Sequence, residues 1–446
     1  MKASSRPVVS ALRRRLFSAQ AASQESATQP LQKQQAKVSK LPNGVTVASL
    51  ENYSPVTRVA VVFGAGARNE PGNALGVTHC LRRAAFLTNA THTQFGITRN
   101  IQQLGASITC TSGRDTMTYT VEATRDNIEK TIPYLASVTT TPDVREWELN
   151  DLQACLEFDI ASLKQSPSAL TMEALHDAAY RGTLGRSLYA PSCMVGQFTP
   201  DTLEDYMRNF YTSERMSLVG LGIDHDTLVS YASQFNPTDG PGLATEKAFY
   251  RGGEIRMETR SDVVNAAVVT EGAGLGSKDL LALGALQRVM GCGDYLKWGS
   301  GSATSKVQQT ATGITPLPVA VNCFNANYAD SGVFGFFVTA KDTCVGKVLK
   351  GVAKQFSALT KSGVSQDDLN RAKAQLKASL MMSGEDPNAV IADLVNGSDM
   401  SEVAAAIDAL TVADVSNVAK KVINGKPSMA AVGNLENVPY LDQVFN

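Results

Sequence analysis

Histidine is the scarcest chemistry-bearing residue in this chain. Four occur in 446 positions, His79, His92, His176 and His225, and the second half has none. No two of them form a recognisable metal pair, and nothing beyond position 225 can build a His-based zinc site. Long apolar runs are also missing. The longest, such as Val59–Phe63 and Ala266–Val269, are strand-sized, so no membrane-spanning helix is expected. The seven cysteines (Cys80, Cys110, Cys155, Cys193, Cys292, Cys323, Cys344) are scattered without paired spacing. That argues against a zinc ribbon, a disulfide framework, a haem-attachment motif and an iron–sulfur cluster, and it fits a reducing compartment. The Gly-rich stretches Gly291-Cys292-Gly293 and Gly299-Ser300-Gly301 lack the Lys-Ser/Thr ending of a phosphate loop, and Gly272-Ala273-Gly274-Leu275-Gly276 lacks dinucleotide spacing. All three read as turns or surface loops.

Charge excludes a further class. The chain has 41 basic and 42 acidic residues. Met1–Phe17 is basic (Lys2, Arg6, Arg13, Arg14, Arg15), contains serines and has no acidic residue, which is the composition of a mitochondrial transit peptide. Removing those five charges leaves 36 basic against 42 acidic residues. A mildly acidic mature chain gives no reason to expect nucleic-acid binding. Ser18–Lys37 is polar and Gln-rich and reads as a flexible arm.

What is present centres on Gly76-Val77-Thr78-His79-Cys80-Leu81-Arg82-Arg83, the opening of a helix after a Gly-rich turn. His79 and Arg83 are four apart and share one helix face. An inverted zinc-peptidase motif has His-x-x-Glu-His at this spacing, with two imidazoles on the metal and the Glu as base. Here the base and the second ligand are Arg82 and Arg83. A guanidinium has no lone pair for a metal and stays protonated, so it serves neither role.

The two halves repeat. Val59–Gly66 and Ala266–Gly274 are both apolar strands running into a Gly-rich turn and then a helix. Thr199–Tyr211 followed by Met216–Gly220 is mirrored by Thr411–Ile423 followed by Met429–Gly433: a Thr-capped helix, then a Met-led strand ending in Gly. Asn236–Gly242, with two prolines and two glycines, is the best linker between them. A duplicated domain follows. Asp126–Ala136 reads as a helix that Pro133 should bend or split. Helical patterns run from Arg145 to Tyr180 with a break near Ser166-Pro167, from Leu228 to Phe235, and from the Ser365-x-x-Asp368 cap to Gly384.

Ala67-Arg68-Asn69-Glu70-Pro71, the degenerate motif with Phe86 behind it, and Leu184-Gly185-Arg186-Ser187-Leu188-Tyr189-Ala190-Pro191 together resemble the pitrilysin-type zinc peptidases, including the mitochondrial processing peptidases. Phe324–Gly335 is close to a segment of the non-peptidase members, which serve as core subunits of the mitochondrial cytochrome bc1 complex. The resemblance runs from about Val38 to the C-terminus. It implies an α+β fold of two homologous peptidase-like domains, each a mixed β-sheet flanked by helices, at residues 38–235 and 248–446 with a linker at 236–247. It implies a noncatalytic subunit without cofactor or metal, peripheral on the matrix side of the inner membrane. The implied partners are core protein 1, cytochrome b, cytochrome c1, the Rieske iron–sulfur protein and small subunits, in a dimeric complex, with membrane contact through those partners. The substrate-binding subunit of a processing peptidase is the alternative, and an active zinc metallopeptidase a more distant one.

In active relatives a Glu from the early part of the 145–180 region is the third zinc ligand. The spacing leaves open whether Cys155 or Asp159 takes that place, with Glu157 between them. Glu157 and Asp159 are expected to form a solvated or salt-bridged helix face, and Arg82 and Arg83 to pair with carboxylates in the old cleft. Restoring the motif by the double substitution Arg82→Glu and Arg83→His is expected to give no peptidase unless a third ligand is in place.

Overall fold

The computed structural model describes residues 35–292 and 305–445. The leader Met1–Phe17, nearly all of the arm at 18–37 and the Gly-rich stretch around Gly299 lie outside the described residues. In the first half β1 (Lys37–Lys40), β2 (Thr46–Leu50), β3 (Val56–Phe63), β4 (Ser107–Ser112), β5 (Met117–Thr124) and β6 (Met216–Leu221) form one sheet, in the order β1-β2-β6-β3-β5-β4. In the second half β7 (Glu254–Glu258), β8 (Val263–Glu271), β9 (Val319–Asn327), β10 (Gly332–Lys341) and β11 (Ser428–Gly433) form another, in the order β7-β11-β8-β10-β9. The sheets share one plan. A first strand pairs parallel with the last, β2 with β6 and β7 with β11. The last then runs antiparallel to β3 or β8, and two further antiparallel strands complete each sheet. Among the described residues only β1 has no counterpart. It begins at Lys37, the last residue assigned to the arm, and pairs antiparallel with β2.

The first-half helices are α1 (Val77–Ala84), α2 (Gln94–Gln103), α3 (Ile128–Thr140), α4 (Glu146–Lys164), α5 (Pro167–Tyr180), α6 (Pro200–Phe210) and α7 (His225–Ala232). The second half has α8 (Leu280–Met290), α9 (Lys306–Ile314), α10 (Asp342–Ser362), α11 (Gln366–Ser383), α12 (Pro387–Val395), α13 (Met400–Ala409) and α14 (Val412–Asn424). Side-chain caps set several starts: Thr199, Ser365 and Thr411 accept the backbone N–H three residues on. Asp224 caps α7 at two N–H groups and starts it at His225, earlier than the apolar pattern from Leu228 suggests. One expectation changes. Pro133 does not split α3: it sits on the exposed face, where water can satisfy the freed carbonyl of Glu129, while Ile132, Leu135 and Ala136 hold the opposite face in the core. The stretch 236–247, expected as the linker, is held against the first half. Thr238 bridges to Thr212, and Arg215 donates to the carbonyls of Pro241 and Leu243.

Strands buried on both faces need two covers. Val59, Val61 and Phe63 of β3 point into the first half's own core, whereas Ala60 and Val62 point the other way. That second face is covered from the far half: Val390, Ile391 and Leu394 of α12 pack on Ala48, Ala60, Val62, Val219 and Leu221. The reverse holds for the second sheet. Ala174, Leu175, Ala179 and Tyr180 of α5 pack on Ala267, Val269, Val333 and Ala430. The halves thus exchange equivalent helices, each opened by a proline in its first turn, Pro167 and Pro387. All of this lies within one compact unit, Ala36–Asn446.

Candidate site at the degenerate motif helix

Helix α1 is held at its N-terminus by a buried carboxylate. Glu70 accepts from the Gly76 N–H at 2.7 Å and from the Thr78 N–H at 3.0 Å, and from the Thr78 hydroxyl. Burial raises the Glu70 pKa; these bonds and the Arg186 charge oppose that. Gly76 has φ +85°, and a Cβ there would stand 2.3 Å from the Ala190 Cα. Glycine is what allows the loop carrying Ala190 to lie against the start of the helix.

That contact fixes His79, which is fully buried. Its Nδ1 accepts the Ala190 N–H at 3.2 Å. The ring proton therefore sits on Nε2 and is donated to Asp159 Oδ2 at 3.0 Å. Burial lowers the pKa of His79, the bond to Asp159 opposes this, and the charges of Arg82 and Arg83 lower it further, so the ring is neutral.

Asp159 lies on α4, buried, and accepts two bonds from Arg83: Nε to Oδ2 at 2.6 Å and Nη2 to Oδ1. Arg82 Nη2 stands 3.7 Å from Oδ2, its Nη1 donates to Ser112 Oγ at 3.3 Å, and its guanidinium lies over the Tyr189 ring. Burial alone would raise the Asp159 carboxyl. The hydrogen bonds from Arg83 and His79, with the Arg83 charge, outweigh it and hold the pKa below the ordinary carboxylate range. Cys155 and Glu157 are both exposed. Of the two positions that spacing left open, Asp159 is the one against His79. Both arginines approach this one carboxylate, and only Arg83 forms a full pair with it.

This donor set does not fit zinc. Both nitrogens of His79 are engaged, both oxygens of Asp159 accept from Arg83, and a catalytic zinc takes three protein ligands. Among the described residues no group of three His, Cys, Asp or Glu is placed to hold a metal. No general base stands at position 82. The arrangement can do one thing well: it clamps α1 to α4 by a forked, charge-assisted pair.

The segments that carried the family resemblance meet around this helix, in contacts no spacing rule could reveal. Arg186 donates to the carbonyls of Arg68 and Glu70. Arg68, itself buried, donates to Asp115 at 2.8 Å and to both oxygens of Asp330 in the second half. Tyr328 donates to Nε2 of His176 at 2.7 Å, whose Nδ1–H is given to the Met172 carbonyl. Burial, with the Arg114 charge, pushes His176 down to about 3. Ser331 bonds Tyr180. Phe324–Gly335 is therefore a seam between the halves. A cleft of about 470 Å³ is lined by residues of both halves, Glu70, Gly76, Glu173, Arg186, Tyr189 and Met257 among others. His79, Arg83 and Asp159 do not line it.

Residues 46–192 match the model of the insulinase family (peptidase family M16), and residues 197–376 that of the M16 peptidase inactive domain. The chain is similar to mitochondrial cytochrome b-c1 complex subunit 2 of Homo sapiens, 41% identical over 93% of both chains, and to that of Rattus norvegicus, 40% identical at the same coverage. It is also similar to the mitochondrial-processing peptidase subunit alpha of Bos taurus, 28% identical over 93% of this chain and 85% of that one. Two sheets of one plan, a peptidase motif helix and these matches agree: the chain belongs to the pitrilysin-type M16 peptidase family, in the group of cytochrome b-c1 complex subunit 2.

Proposed function

We propose that this chain is a noncatalytic core subunit of the mitochondrial cytochrome bc1 complex, supporting assembly and stability of the machine that passes electrons from ubiquinol to cytochrome c. One observation carries the noncatalytic part: Arg83 occupies both oxygens of Asp159 at the place where a zinc ligand set would form. His79, Arg82 and Arg83 are then remnants of a metal motif, and no catalytic residue, cofactor or metal belongs to this chain. The electron-transfer chemistry belongs to other subunits. No described helix is long and apolar enough to cross a membrane. Contact with the bilayer would run through partners: core protein 1, cytochrome b, cytochrome c1, the Rieske protein and small subunits of a dimeric complex, on the matrix side of the inner membrane. The reading includes a leader at 1–17 that is removed, an arm at 18–37, and domains at 38–235 and 248–446 joined by 236–247.

The processing-peptidase alternative fits the same degenerate helix but has lower identity, 28% against 41%. Native separation of mild-detergent mitochondrial extracts, with mass spectrometry on the band holding this chain, tests the choice. Co-migration with cytochrome b and cytochrome c1 is expected. A soluble band with only a second peptidase-like chain would overturn it in favour of the alternative.

A further inference from the structure

Helix α10 carries a charge pattern that the fold does not require. Its buried face, Val345, Val348, Leu349, Val352 and Phe356, packs on the second sheet. Directly opposite, Lys347, Lys350 and Lys354 are exposed at i, i+3 and i+7. At 1.5 Å per residue they form a straight row about 10 Å long. Among the described residues none of the three makes an ion pair. Among the described residues of this half, Lys306 pairs with Asp368, Lys377 with Asp408 and Lys421 with Asp279, Lys373 donates to the Asp408 carbonyl, and Lys341 and Lys420 make no ion pair. The acidic groups on α10 and on described elements packed against it are Asp342, which accepts from Asn434, Glu271 on β8, Asp414, which bonds Thr411, and Glu436 and Asp442 in the chain's last stretch, and none of them pairs with the row.

Like charges at i, i+3 and i, i+4 weaken a helix. The repeat supplies a control. Helix α3 follows β5 as α10 follows β10, and its exposed positions include Glu129, Lys130 and Pro133, one charge of each sign. Of these two equivalent helices only α10 carries a lysine row, which is locally unfavourable, in a chain with more acidic than basic residues once its leader is set aside. Sequences break local rules of this kind where a surface has a partner.

We propose that the outward face of α10 docks an acidic polypeptide, with carboxylates on one face of a helix at matching i, i+3/i+4 and i+7 spacing. Among the side chains described on that face, the other exposed positions, Thr343 and Ala358, bring no aromatic or large aliphatic side chain to enter a lipid interface. The rigid, one-residue-wide row suits a helix edge better than a broad anionic sheet. The inference rests on the reading of this chain as a subunit of a larger assembly.

Carbodiimide coupling of the native detergent-solubilised complex, followed by peptide mass spectrometry, tests it. The reagent joins a lysine amine to a carboxylate only in contact, and the internal pair Lys377–Asp408 at 2.5 Å reports that coupling worked. The expected result is linkage of Lys347, Lys350 or Lys354 to Asp or Glu of another polypeptide. The triple Lys→Arg variant should stay in the complex but lose those links. The triple Lys→Glu variant should melt as the parent does and be lost from the complex band. A co-migrating chain whose Lys377–Asp408 link forms while the three lysines stay uncoupled overturns the inference and leaves the subunit reading intact. Binding of the parent to phosphatidylserine vesicles, abolished by Lys→Glu with no protein links, assigns the row to lipid and overturns it too. A chain that migrates with no other polypeptide overturns both readings.

Discussion

Replacing Arg83 by His tests whether the motif helix lacks only one ligand. His79 Nε2 and Asp159 Oδ2 are already 3.0 Å apart. Two donors at zinc distances on a tetrahedral centre stand about 3.4 Å apart, so little movement is needed. A His at position 83 would project from the same face one turn on, and His79, already neutral, would have to shift its ring proton from Nε2 to Nδ1 and give up the bond accepted from the Ala190 N–H. The substitution also removes a forked ion pair. Because the Arg83 side chain is 43% exposed, solvent takes part of that interaction, and the loss is about 1–2 kcal/mol rather than the figure for a fully buried pair. A new three-ligand site with Arg82 still nearby should bind zinc with a Kd near micromolar, about 8 kcal/mol. At zinc a hundredfold above that, binding returns about 2.7 kcal/mol. The metal-free variant should therefore melt below the parent, and the zinc-loaded variant at or above it. Melting with and without zinc, with metal analysis after gel filtration, measures both. Adding Arg82→Glu should tighten binding by removing the repelling charge. A folded Arg83→His protein that takes up no stoichiometric zinc and gains nothing from it would show that Asp159 does not stand at the third-ligand position.

Three further outcomes follow from other contacts. Asp159→Asn keeps the acceptor for His79 but loses the charge that Arg83 pairs with, at about 1–3 kcal/mol; because the Asp159 pKa is depressed, its contribution is full at neutral pH and lost as pH falls through its folded value, so melting curves of parent and variant should differ at pH 7 and converge in acid below the ordinary carboxylate range. Gly76→Ala forces a Cβ against Ala190 at a left-handed φ, should cost about 3 kcal/mol or more, and should expose the Tyr189 environment to near-ultraviolet circular dichroism. Leu394→Ala lies in the second half but should cost about 2–5 kcal/mol and raise amide exchange in β3 and β6 of the first sheet, where its side chain packs; exchange confined to α12 and its own half would contradict the helix-exchange packing.

Strands and most helix starts were legible because their signals are local. Short continuous apolar runs rich in valine mark β3 and β8, and Thr199, Ser365 and Thr411 announce their helices. The repeat was legible for the same reason. The helix exchange was not, since nothing in the apolar stripe of α12 says which sheet it will cover. Pro133 misled because the rule that proline breaks a helix assumes a buried, unsatisfied carbonyl, and this one faces water. At the site, His79, Arg82 and Arg83 could be picked out by spacing, but Cys155 and Asp159 are one turn apart on one helix face. Helical periodicity cannot rank two such positions. Only the contact with His79 does.

On the proposed noncatalytic reading, the clamp does for the helix what a metal would otherwise do. A carboxylate beside a buried imidazole needs a cation, because burial without one favours protonation or an unpaired charge. In a metal site the ion supplies that charge. Here Arg83 supplies it from the very position a second ligand would hold, with a fork that matches both carboxylate oxygens. Its aliphatic stem stays attached to α1, so the charge arrives covalently tied to the helix it stabilises and cannot dissociate or be chelated. Glu70 at the N-terminus, the Ala190 N–H on His79 and the Asp159–Arg83 fork then fix α1 at three points along its length. On the noncatalytic reading these three contacts are enough to hold the helix in place without a metal, with a permanent cation at position 83 where a ligand would stand.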